Sequence, residues 1–131
     1  MGPCPLNKDW RNHMPHVVLE NINSASVAFD SVVTFTTRID GGVLKVIDKF
    51  LNAGQNKALV EALAVENDNN QSFFVELSQK QTSLTVRLLP LTDPEKTPGV
   101  KTIMATLAKQ IKDGNPGVSY GKTNLQDFLL E

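Results

Sequence analysis

Cysteine is nearly missing from this chain. Cys4 stands alone, so no internal disulfide can form and no cysteine-rich metal site can be assembled. Histidine is almost as scarce. His13 and His16 stand three apart beside Pro15, with Asp9 and Cys4 upstream, but an irregular stretch gives ligands no rigid support, and the two are read as surface residues with no metal expected. Excess positive charge is absent too: Lys and Arg number 13 against 14 Asp and Glu, for a formal net charge of -1. No global field draws the protein to nucleic acid, and any such binding has to be local. No apolar run approaches the roughly 20 residues that span a bilayer. Met1 to Pro15 lacks the continuous apolar segment of a signal peptide, so the expectation is a cytoplasmic protein with no membrane partner. Internal repeats and low-complexity segments are also lacking.

What is present fits one small domain. At 131 residues and 40% hydrophobic the chain can bury a single core, and further burial in a dimer would help it. Residues 1–15 read as a surface or inter-subunit arm anchored by Trp10, residues 16–96 as mainly sheet, and residues 97–131 as a helical C-terminus. The clearest sheet signal is a pair of alternating runs near Ser72 to Ser78 and Ser83 to Leu89. Phe73, Val75, Leu77, Leu84, Val86 and Leu88 share one side, and Ser72, Glu76, Ser78, Ser83, Thr85 and Arg87 the other. Phe74 and Leu89 break the pattern. Such a sheet has one apolar face to be covered and one polar face free to meet a partner.

The cover is the late helix. Thr97 can cap it, Pro98 suits its first position, and Val100, Ile103, Met104, Leu107 and Ile111 form one apolar stripe. Lys109 and Lys112 complement the dipole of its last turn, and Gly114 ends it. Beyond Asn115-Pro116-Gly117, Leu125, Phe128 and Leu129 share the face of a short amphipathic piece.

The first half is read as follows. HVVLENINSASVAFDSV suggests a hairpin around Asn21-Ile22-Asn23-Ser24, and Val32 to Ile39 a beta-branched strand. Val43, Val46, Ile47, Phe50 and Leu51 fall at helical spacing, with Gly54 as a stop, and predict about three helical turns. Lys57 to Glu66 fits either a helix, by its Ala, Leu and Glu content, or a strand entering the turn Asn67 to Asn70. It is read as strand, because a hairpin then gives Phe73 to Leu77 a partner.

Chemistry-bearing motifs are weak. Gly117 to Thr123 resembles a phosphate loop, yet Pro116 stands where the first glycine is required, and the segment follows a helix rather than bridging a strand to one. No nucleophile elbow or distinctive carboxylate pair appears, so neither catalysis nor a cofactor is expected. Small hydroxyls, a few cations and Phe74 on the polar sheet face are groups that single-stranded RNA can use. Glu61 and Glu76 argue against it, since carboxylates repel phosphate.

The order of elements resembles the coat proteins of single-stranded RNA bacteriophages. The resemblance rests on HVVLENINSASVAFDSV, on ALVEALAVENDNNQSFFVELSQ and on SLTVRLLPLTDPEKTPGVKTIMATLAKQIKDGNPG, with KDGNP at Lys112 to Pro116 the closest verbal match, and covers about half the chain. It implies an α+β fold with an N-terminal hairpin, an antiparallel meander sheet and two C-terminal helices over the sheet of a dimer partner. It also implies dimers closing into an icosahedral shell, and a place in the virion after assembly in the host cytoplasm. The single-stranded RNA genome would meet the polar face at Ser78, Lys80, Thr85 and Arg87. Three departures stand out: the arm is longer than the family's usual start, Val43 to Leu51 reads as helix where the family has a strand, and the RNA face carries fewer basic residues than the family's usually does. The other reading is a non-catalytic intracellular oligomeric binding module.

Overall fold

The computed structural model describes residues 14–129. The arm residues Cys4, Lys8, Asp9, Trp10, Arg11 and His13 lie outside that range. The described chain is α+β: strands β1 (His16–Glu20), β2 (Phe35–Ile39), β3 (Gly42–Leu51), β4 (Lys57–Glu66), β5 (Asn69–Lys80), β6 (Ser83–Leu88) and β7 (Ser119–Thr123), with helices α1 (Ala25–Ser31) and α2 (Pro98–Gly114). All pairings in the seven-stranded sheet are antiparallel, in the order β2-β3-β4-β5-β6-β1-β7. From β2 to β6 the strands follow sequence order, which is the meander expected. β1 and β7 then add from the two ends of the chain at the far edge.

Both helices lie on one face. Phe73, Val75, Leu77, Leu84, Val86 and Leu88 line it, opposed by Val100, Ile103, Met104, Leu107 and Ile111 of α2, and every one of these is buried. Each such side chain contributes at most roughly 1.5–3 kcal/mol. α2 packs on its own chain's sheet, touching β1, β3, β4 and β6. β4 turns Ala58, Val60, Ala62 and Ala64 toward the helices, so both α1 and α2 can press close to the sheet centre.

Three expectations are corrected by the structure. Asn21 to Ser24 is not the turn of a hairpin. Ser24 caps α1 by accepting from Ser26 N at 3.0 Å, and Ala25, Ala28 and Val32 bury the helical face. Ala25, Ala28, Phe29 and Val32 have helical spacing, which outweighs the short extended reading. Val43 to Leu51 is strand, not helix. A bulge between Val46 and Asp48 inserts Ile47, so the inward set runs Leu44, Val46 and then Lys49, Leu51. That one-residue phase shift makes two strand halves imitate a helical period. Finally, the second C-terminal helix is absent among the described residues. β7 pairs with β1, and Gln126–Phe128 forms a single 3₁₀ turn that leaves Leu125 buried.

Two close approaches fix the ends of β4 and α2. Gly42 sits where an added Cβ would fall 1.7 Å from the Val65 carbonyl oxygen, so no side chain fits beside β4 there. At α2 the Glu66 carboxylate accepts from Gly99 N at 2.9 Å and from the Thr97 hydroxyl, while Thr97 Oγ1 accepts from Val100 N at 3.3 Å. A carboxylate on unpaired N–H groups at a helix start is favoured by the dipole. A Cβ on residue 99 would stand 2.6 Å from Glu66 Cδ, leaving the acid no room. Glu66→Ala is expected to lower unfolding stability by about 1–2 kcal/mol. Gly99→Ala should cost about as much by expelling the same carboxylate, and the double variant should cost little more than either alone. Urea unfolding monitored by circular dichroism checks all three.

Candidate nucleic-acid interface

The sheet face opposite the helices is open. Strand register places the expected residues together on it: Ser78 pairs with Thr85, Lys80 with Ser83, and Glu76 with Arg87. The next strand pair extends the row, setting Thr85 beside Val18 and Arg87 beside His16. Ser78, Lys80, Thr85 and Arg87 thus form one contiguous group across β5 and β6. Ser78 and Thr85 are half-buried, whereas Lys80 and Arg87 are exposed.

Arg87 is not a free cation. Its Nε donates to Glu76 Oε1 at 2.8 Å, and Lys57 Nζ stands 3.8 Å from the other oxygen of the same carboxylate. Glu76 is only 7% exposed, so its charge is held in place by two cations whose own side chains are about half exposed. The carboxylate that argued against phosphate is therefore matched, but at the expense of the arginine meant to attract it. Lys80 has no ion pair among the described residues.

Sequence reasoning missed the neighbours that β3 and β4 bring. β4 presents Lys57, Leu59, Glu61, Leu63 and Val65 on the open side, and β3 adds Lys45, Asp48 and Phe50. Phe50 is 48% exposed, with its ring centroid 6.5 Å from that of Phe74 at a tilt of 51°. Leu59, Phe50, Lys57, Glu76 and Leu89 edge a hollow of about 260 Å³, below the roughly 300 Å³ at which small-molecule pockets begin. The open face is thus apolar at its centre with cations around it, rather than uniformly polar. The register set by the turn Asn67-Asp68 was the signal available: it makes Leu59 and Leu63 neighbours of Glu76 and Ser72.

A second hollow of about 380 Å³ lies beside β6, lined by Met14, Pro15, Arg87, Leu88, Pro90, Asp93 and Lys96. Lys96 is paired with Asp93, so neither of its cations is unmatched. Gly117, with φ +93°, turns the chain directly into β7, so the segment that resembled a phosphate loop is a turn and an edge strand. His16 lies on β1 and its Nδ1 is 3.2 Å from the Met14 carbonyl oxygen. Among the described residues no group of three or more acidic, His or Cys side chains is gathered as a metal site. No helix is long and apolar enough to cross a membrane among them either.

No family model matches the chain, and neither a curated protein nor a solved structure matches it.

Because Arg87 carries most of the hydrogen bonding to a nearly buried acid, Arg87→Ala should cost about 1–2 kcal/mol of stability. Lys57→Ala, which removes a longer and more exposed partner, should cost under about 1 kcal/mol. Chemical unfolding of the two single variants gives both values.

Proposed function

We propose that this chain is a non-catalytic coat protein that self-associates into dimers, closes into an icosahedral shell, and holds single-stranded RNA against its open sheet face. The observation that carries the reading is the asymmetry of the sheet. One face is sealed by α2 along its whole apolar stripe, while the other is left open with Ser78, Lys80, Thr85 and Arg87 in one group. The meander from β2 to β6 followed by a long helix is the element order that the coat resemblance implies. In a shell, the open face turns inward and each dimer presents its cations twice, Lys80 being one that has no ion pair among the described residues. The Asn52–Lys57 hairpin, tied by Asn52 Oδ1 accepting from the backbone of Asn56 and Lys57, is a compact outer loop suited to contacts between dimers. Such a particle forms in the host cytoplasm and ends as the virion.

The apolar centre around Phe50, Phe74, Leu59 and Leu63 favours a second reading, an intracellular oligomeric module that binds another protein through this face. Electron microscopy and light scattering of the purified protein separate the two. Uniform particles tens of nanometres across that absorb as nucleoprotein support the coat; a small oligomer free of RNA supports the module.

Charge changes on the open face test the RNA contact directly. Lys80→Gln combined with Arg87→Gln should weaken RNA binding and flatten its salt dependence, the slope falling by about 0.7 for each phosphate that is no longer neutralised. Glu76→Gln should act the other way. It keeps an acceptor for Arg87 but releases positive charge on Arg87 and Lys57, so binding tightens and the slope steepens. Filter binding of a single-stranded RNA across a salt series measures both signs.

A further inference from the structure

We propose that the outer edge of β2 is where a second copy of this chain pairs, strand to strand and antiparallel about a two-fold axis. The proposal gives the self-association in the coat reading a defined surface, and rests on that reading only for the need to self-associate.

The two edges of the sheet differ. β7 is protected in the ways edge strands usually are: its pairing with β1 shifts register, Gly121 interrupts it, and Lys122 is exposed on it. β2 has none of these devices except Arg38. It reads Phe-Thr-Thr-Arg-Ile, pairs with β3 in unbroken register, and has no partner on its other side among the described residues. Thr36, Thr37 and Arg38 are exposed, and Phe35 and Ile39 only half-buried. Just upstream the chain has already been given a substitute partner. Gln110 accepts from Val33 N at 3.1 Å and donates to Val33 O at 3.2 Å, as a neighbouring strand would. That substitution stops where β2 begins.

The edge is complementary to itself. An axis through Thr37 sets Phe35 opposite Ile39 of the second copy, an aromatic against a beta-branched side chain on the helix side. It sets Arg38 opposite Thr36, so no like charges meet. The same register carries Asp40 of the second copy opposite Thr34, at the rim of a hollow lined by Thr34, Phe35, Thr36, Lys45, Val46 and Ile47. Lys45 supplies the opposite charge there. Joining the edges makes the two open faces one surface, continuous across the axis.

Two measurements test this. With Cys4→Ser removing the native thiol, Thr37→Cys should be trapped as a disulfide dimer under mild oxidation, because residues facing each other across an antiparallel pair lie within disulfide reach. Lys122→Cys on the opposite edge should not. In sedimentation analysis Thr36→Lys, which opposes two like charges to Arg38, should weaken dimerisation about fivefold, and Thr36→Glu should tighten it about fivefold. Position 36 is exposed, so both variants should keep the wild-type circular dichroism spectrum. Oligomers that persist while Thr37→Cys is trapped no better than Lys122→Cys would overturn the β2 edge and leave self-association standing. A monomer at all concentrations up to the solubility limit would overturn both.

Discussion

How closely α2 can approach the sheet governs the rest of the covered side. The alanines of β4, at 58, 62 and 64, stand beside the sheet's middle strand, where larger side chains would hold the helices off. Because they are small, the bulk of the core comes from Ile103, Met104, Leu107 and Ile111 of the helix and from Phe73, Leu77, Leu84 and Leu19 of other strands, all in one buried cluster. The helix entrance is then fixed by Glu66, which belongs to the same strand. One strand therefore sets both the height of the helix and the point where it starts.

The same alternation has a cost on the other side. Turning alanines inward turns Leu59, Leu63 and Val65 outward, and the open face acquires an apolar middle because the core needed a thin one. Electrostatics adjusts around that middle. Glu76 lies almost buried beneath Arg87 and Lys57, and the exposed cations and carboxylates of the face come close to cancelling. A surface of this kind exerts little long-range pull on phosphate. Large numbers of neutral subunits can also stand close together without strong mutual repulsion.

Much of this was legible in the residues, and the failures have local causes. α2 was readable to its caps because Thr97, Pro98 and the stripe from Val100 to Ile111 agree with one another. β5 and β6 were readable because their alternation holds over most of each strand, with Phe74 the exception within them. β3 was not, since a bulge at Ile47 shifts the phase and no residue there marks it. α1, seven residues long, shows little more than one repeat of its helical spacing, and β7 owes its extended form to pairing with β1, a partner some hundred residues away in sequence. On the open face, alternation put Ser78, Thr85 and Arg87 on one side, and the strand register sets Lys80 beside them. That Arg87 is committed to Glu76 needed the cross-strand register, and the contributions of Lys57, Phe50 and Leu59 needed the order of strands.

β1 precedes in sequence both of the strands it pairs with. Its inner neighbour is β6 and its outer neighbour is β7, and its ends are tied by His16 N donating to Asn124 Oδ1 at 3.0 Å and Thr123 Oγ1 donating to the His16 carbonyl at 2.8 Å. While the chain is being synthesised the meander from β2 to β6 can form by short hairpins, but β1 has nowhere to go until residue 83 has emerged and no outer neighbour until residue 123 has. Until β1 docks, the side of β6 that it pairs with is an unpaired strand edge. β7 thus covers the outer side of β1 only after every other described strand has been made.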